Sequence, residues 1–350
     1  MFDGKLKTFV DKCGTGVALI TDRLTRKYLM GVDIAEGYLI TGKDTAYFTD
    51  ARYFYATKEK LDGTGILALL YTGQQDISSF IKKSGATALY IDYTRTTVKE
   101  YENYKKIGLD IKDCSNTLEL LRSVKSQSEI THIKKACEIV ESALYFVLKT
   151  IKVGDTELEI KERIETEMIK LGAESASFDT IVAFGKNSAV PHHETGKTPL
   201  KPNTVILIDT GAVYKGYCSD ITRTLFFGTP TDKFISCYNA VLLANESAER
   251  EITAGMKTDQ ADKIARDVLG KSGLDKYFTH SLGHGVGLEI HEYPTLSPKK
   301  STILENGTVF TVEPGVYFDG EFGIRIEDTV LLTDGKVQRL FSDDKQLIKL

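Results

Sequence analysis

The chain is poor in cysteine and proline, and it has no tryptophan. Its five cysteines, Cys13, Cys114, Cys137, Cys218 and Cys237, are odd in number, widely scattered and without a C-x-x-C pair. That pattern argues against a disulfide framework or a thiolate zinc knuckle, and reads as reduced thiols in the cytoplasm. Positive charge is not in excess: the formal net charge is −4 and the pI about 6.0. Nucleic acid and anionic membrane are therefore not expected partners. Long hydrophobic runs are missing as well. The longest, such as ILALLY and VILI, are far too short to cross a bilayer. The opening MFDGKLKTFVDKCG carries no apolar core of a secretion signal. No Pro-rich or Ser-rich linker and no low-complexity tract interrupts the chain.

What remains is ordinary soluble composition, 41% hydrophobic and 27% charged over 350 residues, enough for two closely joined domains. Residues 1–120 alternate strand-like and helix-like pieces. YLITGKDTAYFTD reads as two strands about a Gly-Lys-Asp turn, DISSFIKKSG as a helix and ATALYIDY as a further strand. Such alternation predicts a small α/β domain. From about 115 a long charged helical stretch follows. Ile130, Ile133, Ala136, Cys137, Val140 and Leu144 recur at helical spacing behind a capping box, Ser126 with Glu129. This places the domain boundary near 122, giving units 1–121 and 122–350. VGDTELEIKERIETEMIKLG is a second helix, capped by Asp155 or Thr156. Past 175 the chain is strand-rich, with one helical interruption over 231–273.

Two hairpins carry acids at mirrored positions. In TVILIDTGAVYKGYCSDITRTLFF, a turn centred between Tyr214 and Lys215 sets Asp209 opposite Asp220. Directly opposed residues on one sheet face have Cβ atoms about 5 Å apart. Two carboxylates that close repel unless a cation sits between them or one is protonated. In VFTVEPGVYFDGEFGIRIEDTVLL, Asp319-Gly320 is a strong turn signal, and Glu313 and Glu327 are equidistant from Gly320. A single acid on a strand usually faces solvent. Asp209 instead follows four apolar residues, and Pro314 biases Glu313 to extended backbone. The likeness of the two hairpins hints at an internal pseudo-repeat.

Half of the six histidines fall in HSLGHGVGLEIHE, at 280, 284 and 291. Gly283, Gly285 and Gly287 argue against a helix there, since each costs about 1 kcal/mol against Ala. A strand with a glycine bulge lets His284 and His291 point into one cleft. A lone His would more often be structural; three with this glycine pattern indicate a site. Two Asp, two Glu and one His form a donor set of hard oxygens with a single imidazole. Such a set suits Mn²⁺, Co²⁺ or Fe²⁺, with Zn²⁺ also accommodated. Four carboxylates balance two divalent cations, which favours a dinuclear centre.

The segments DTG…YCSDITRT, GHGVGLEIHE, EPGVYF and GIRIED resemble the pita-bread metallopeptidases, in particular the proline-specific Xaa-Pro aminopeptidases and Xaa-Pro dipeptidases. The resemblance covers about 122–350 strongly. RKYLMG and YFTDARYF resemble the smaller creatinase-type domain more loosely. It implies an α+β fold: a C-terminal pita-bread domain preceded by an N-terminal α/β creatinase-type domain. It also implies that Asp209 binds one metal, that Asp220 and Glu327 bridge both, and that His284 and Glu313 complete the other. Glu313 would take a proton from the attacking water. His291 would hydrogen-bond the substrate near the scissile bond, and His280 would line the substrate pocket. AFGKNSAVPHHETG resembles a segment with another active-site histidine, assigned to His192; His193 is the runner-up, read rather as a surface neighbour. Arg325 and Tyr317 match positions behind the ligands; Arg325 orients the metal carboxylates, assists proton transfer or forms an ordinary ion pair. Leu282, Val286 and Ile290 are candidate walls for the proline ring, although core packing is the commoner use of such residues.

The function so implied is hydrolysis of the bond before proline, in dipeptides or at the N-terminus of longer peptides, by a cytoplasmic homodimer. A methionine aminopeptidase would use the same fold and ligands, but such enzymes usually lack an N-terminal domain of this size. A non-peptidase relative of the fold would not need the intact ligand set.

Overall fold

The computed structural model describes residues 4–350, and these divide between Leu121 and Arg122 into two compact units. Among the described residues of the first, six strands form one mixed sheet in the order Leu67–Leu70, Thr45–Thr49, Tyr38–Thr41, Val17–Ile20, Ala88–Ile91, Asp110–Asp113. Tyr38–Thr41 and Thr45–Thr49 pair antiparallel about Gly42-Lys43-Asp44, the hairpin that the sequence predicts. Helix Gln74–Lys83 starts where Asp76 accepts a hydrogen bond from Gly73 N at 3.1 Å, and it buries Ile77 and Ile81 against Leu19, Ile40 and Leu89.

The second unit holds an eight-stranded antiparallel sheet among its described residues. The strands that matter here are Ile181–Phe184, Thr204–Thr210, Ile221–Phe227, Glu327–Thr333, Val309–Val312, Gly283–Gly285 and Glu292–Leu296, in that spatial order. The helical stretch after 115 is two helices rather than one. Ser115–Ser123 ends before Val124, which bridges to Thr308, and Gln127–Leu148 restarts at the capping box, where Ser126 N donates to Glu129 at 2.8 Å. Thr156 caps Glu157–Lys170. The interruption after 231 likewise splits, into Asp232–Glu251 and Thr258–Gly270, because Ile252 and Gly255 leave the helical conformation.

Both helix pairs cover the same face of the sheet. Ile133, Val140, Leu144, Ile160 and Ile164 pack on Ile206, Ile208, Ile221 and Leu225. Val241, Ala248, Ala261 and Ala265 pack with Phe310, Val312, Val330 and Leu332. Each large side chain so buried is worth about 1.5–3 kcal/mol. Two helices followed by strands thus occur twice in succession, in line with the hinted repeat. Because side chains alternate along a strand, the helix-covered face leaves residues 209, 222 and 327 on the other.

Candidate active site

Strand register builds that other face. Thr222 pairs with Asp209 on one side and with Glu327 on the other, so the three lie in one row across three strands. The first hairpin departs from the sequence expectation. Its two-residue turn is Lys215-Gly216, both at positive φ (50° and 79°), which is the geometry of a type I′ turn. The centre therefore lies one residue later than the sequence arithmetic placed it. Asp209 faces Thr222, and Asp220 stands one alternation along, on the same face. In the second hairpin, Val312 pairs with Asp328 and Gly315 with Arg325, which brackets Glu313 opposite Glu327 as expected.

The glycine-rich segment comes in beside them. Gly283–Gly285 is a strand with a register shift after His284. A Cβ at Gly283 would meet Thr311 O at 1.9 Å, so only glycine allows this approach. His284 is thereby aimed at the acids. Its Nε2 lies 3.6 Å from Asp220 Oδ2 and 3.4 Å from Glu313 Oε1. Its Nδ1 lies 3.2 Å from Gly285 O, a carbonyl that only accepts, so Nδ1 carries the proton and Nε2 presents its lone pair. Ligand atoms of Asp220, His284 and Glu327 fall within 4.8 Å of one another. Glu313 joins through His284, and Asp209 through the Thr222 row.

The electrostatics are those of crowded acids. Burial, then repulsion from Glu327, Asp209 and Glu313, pushes Asp220 well above the usual carboxylate range. Burial, then Glu313 and Asp209, does the same to Glu327. Burial and Asp209 push Glu313 up to about 8 against the pull of Arg325. Burial, then His291, lowers His284 to about 4, so its imidazole is neutral. Asp209 Oδ1, Asp220 Oδ1 and Glu327 Oε1 are buried without a hydrogen-bond partner. Leaving such an oxygen unpaired costs about 1–3 kcal/mol. A neutral imidazole among unpaired, mutually repelling carboxylates is a donor set that divalent cations satisfy, so the residues fit a metal centre.

Behind the acids runs a directed chain of hydrogen bonds. Arg325 donates from Nη2 to Asp209 Oδ2 (2.5 Å), from Nη1 to Tyr317 OH (2.7 Å) and from Nε to Thr222 Oγ1 (3.1 Å). Tyr317 OH in turn donates to His280 Nε2 (2.9 Å), since His280 Nδ1 already donates to Ser281 O (2.9 Å). Both nitrogens of His280 are therefore engaged, and burial, then Arg325, lowers its pKa to about 3. His291 is exposed, with its ring centroid 4.3 Å from that of His284. Its pKa is lowered by burial and then by the charge of His192, which also acts on His280. His193 is no surface neighbour: its Nε2 lies 3.0 Å from Oε2 of the fully buried Glu157. Leu282 and Val286 are fully buried in the core, and only Ile290 is partly exposed.

Sequence reasoning missed two threonines. Thr222 Oγ1 donates to Glu327 Oε2 at 2.5 Å, and Thr311 Oγ1 donates to Glu313 Oε1 at 3.1 Å. Each stands two residues from a singled-out acid on the same strand path, so the period of two was the available signal. Asp262 and Arg266 were also missed; they fix the His280 segment through Leu282 N (3.0 Å) and His280 O (2.6 Å).

A family model described as Metallopeptidase family M24 matches residues 131–334. The chain belongs to that family. Residues 4–124 match a second model, the Creatinase/Prolidase N-terminal domain, so this M24 peptidase has the pita-bread and creatinase-type architecture that its sequence implied. It is 36% identical over 352 residues to a Pyrococcus horikoshii protein named Xaa-Pro dipeptidase, covering 98% of this chain and 97% of that one. A solved Xaa-Pro dipeptidase from Bacillus anthracis superposes with a TM-score of 0.93 at 35% identity, covering 99% and 98% of the two chains. A solved X-Pro aminopeptidase from Thermotoga maritima gives 0.89 at 30% identity, covering 99% of each.

Proposed function

We propose that this M24 peptidase is a dinuclear metal-dependent exopeptidase that cleaves the Xaa-Pro bond, in dipeptides or at the N-terminus of longer peptides. The observation that carries the reading is the knot of buried carboxylates with unpaired oxygens around the neutral Nε2 of His284. Relatives named Xaa-Pro dipeptidase and X-Pro aminopeptidase support its proline specificity. The domain assignment goes with it: 1–121 the creatinase-type domain, 122–350 the catalytic one.

Asp209, Asp220, His284, Glu313 and Glu327 would hold the ions. The hard-oxygen set suits Mn²⁺ first, with Co²⁺, Fe²⁺ and Zn²⁺ as alternatives. When bound, two such ions supply a water-derived nucleophile near neutral pH and polarise the peptide carbonyl. The chain supplies the rest. Arg325 holds Asp209 Oδ2 and so commits Oδ1 to binding. Thr222 and Thr311 fix the carboxylates of Glu327 and Glu313. Glu313 takes the proton of the attacking water and passes it to the leaving proline nitrogen. His291 donates a hydrogen bond to the carbonyl oxygen as it becomes anionic. His192 is assigned to the catalytic group, and His280 lines the pocket with its ring, its nitrogens being engaged. The bond before proline has no N–H, so recognition falls to the shape that receives the pyrrolidine ring.

Five free, buried cysteines support a cytoplasmic setting. A homodimer is the expected assembly, which sedimentation tests. The decisive assay compares Ala-Pro, Ala-Pro-Xaa and Met-Ala peptides with each metal added in turn. Turnover of the proline substrates alone is expected. Preference for Met-Ala would put a methionine aminopeptidase in its place, and no turnover with any metal would indicate a non-peptidase relative. The ratio of Ala-Pro to Ala-Pro-Xaa turnover separates dipeptidase from aminopeptidase.

A further inference from the structure

HSLGHGVGLEIHE contains two glutamates, Glu289 and Glu292, that the metal site does not use. They hold the loop that carries His291. The chain leaves the sheet at Gly285 and pairs again at Glu292, so residues 286–291 form an excursion with no strand of its own. Its near end is tied by Val286 N to Val309 O (3.1 Å) and by Cys218 N to Gly287 O (2.8 Å). Toward Ile290 and His291, Cys218 Sγ reaches Leu288 O at 4.0 Å, the Ile290 backbone bonds the His284 ring, and one carboxylate adds further ties. Glu292 Oε1 accepts from Glu289 N at 2.9 Å and from Arg122 Nη2. Its Oε2 lies 3.4 Å from Lys125 Nζ. Arg122 Nη2 also reaches Glu289 Oε2 at 2.9 Å.

This cluster is out of solvent: the side chains of Glu292, Arg122 and Lys125 are 4%, 10% and 1% exposed. Burial raises the Glu292 pKa, but Lys125 and Arg122 outweigh it and keep the carboxyl below its usual range, hence charged. Gly287 is shaped to the same end, since a Cβ there would lie 2.5 Å from Glu292 Oε2. The carboxylate therefore packs onto the loop backbone at Gly287 and bonds it at Glu289, one residue before Ile290. A buried carboxylate with two buried cations needs little freedom to stay in place. His291 itself is exposed, and its ring meets that of His284.

We propose that Glu292, clamped by Arg122 and Lys125, is the positioning residue that fixes the His291 imidazole at the reacting carbonyl. This rests on the reading that His291 acts on substrate. A misplacement of about 1 Å at such a group costs up to about a hundredfold in rate.

The test is a double-mutant cycle on the full-length, manganese-loaded protein with Ala-Pro as substrate, with bound metal measured alongside. Glu292→Gln should lower kcat about ten- to a hundredfold while KM moves less and the metal content stays. In a His291→Ala background the same change should add less than about twofold, because the residue acts through the histidine already removed. Arg122→Lys, which keeps a cation, should retain most of kcat, whereas Arg122→Met should behave like Glu292→Gln. Wild-type kcat in Glu292→Gln, or full multiplication of its effect with that of His291→Ala, overturns the proposal while leaving the peptidase reading intact. Wild-type turnover in His291→Ala overturns the assigned role of His291 and this inference together. If Glu292→Gln loses its metals, the arginine pair decides alone, and equal kcat in the two overturns the clamp.

Discussion

Replacing Thr222 with valine removes one hydroxyl from the middle of the site and changes little else in shape. Thr222 is fully buried, paired between Asp209 and Glu327. Its Oγ1 donates to Glu327 Oε2 at 2.5 Å and accepts from Arg325 Nε at 3.1 Å. The other Glu327 oxygen, Oε1, is already without a partner. Thr222→Val thus strips the donor from a buried carboxylate and the acceptor from a buried guanidinium. The Arg325 guanidinium stays charged without metal, and a hydrogen bond to a charged group is worth about 1.5–3 kcal/mol, so the chelator-treated variant should lose roughly that much. With metal present the loss should grow. Groups that orient metal ligands typically govern about ten- to a hundredfold in metal affinity, which at saturating metal adds about 1.4–2.8 kcal/mol through linkage. Urea unfolding of wild type and variant, each with chelator and with saturating Mn²⁺, measures both parts. A neutral variant in both conditions would refute the role given to the hydroxyl. An equal loss in the two would refute the claim that Thr222 orients a metal-binding carboxylate.

The crowded acids predict a pH dependence for chelator-treated protein. Glu313 has its folded pKa raised from 4.5 to about 8, and Asp220 and Glu327 are raised as well. Between those values the folded state keeps protons that the unfolded chain has released, so stability should fall as pH rises through that window. Added Mn²⁺ should abolish the decline; a metal-free protein whose melting temperature rises from pH 5 to 8 would contradict this. The paired histidines should separate cleanly. His192→Ala should lower kcat with Ala-Pro by at least about tenfold and leave the melting temperature near wild type. His193→Ala, which removes one of the hydrogen bonds to the buried Glu157 and leaves those from Phe184 N, Asn187 Nδ2 and Gly196 N, should lower stability by about 1–3 kcal/mol and spare kcat. The reverse pattern, read by kinetics and calorimetry on the same samples, would exchange their roles.

Much of this arrangement is legible in the residues. The mirrored acids, the glycine-loosened histidine segment and the capping box at Ser126 each follow from local chemistry that acts over a few positions. The hairpin about Gly320 was readable because Asp-Gly dominates its turn. The one about Lys215 was misplaced by one residue because Lys is a rare occupant of a left-handed position, and Tyr214 was counted into the turn instead. Thr222 and Thr311 stayed hidden because buried threonine is an ordinary strand residue; only the register shows that its hydroxyl meets a carboxylate. Two helices follow one another after 115 and again after 231 where the sequence reads as one, because the breaks, 124–126 and 252–257, are short and interrupt the periodicity little. Glu157, Glu292 and Arg122 act over long sequence distances, which no local pattern encodes.

The account stands on five side chains acting together as a container for divalent ions. Elemental analysis of the purified, Mn²⁺-equilibrated protein measures this most directly, comparing wild type with Asp220→Ala. The account predicts about two ions per chain in the wild type, fewer than one in the variant, and loss of Ala-Pro hydrolysis with them. Wild-type protein that retains no divalent ion, or Asp220→Ala that keeps both ions and full turnover, would contradict it.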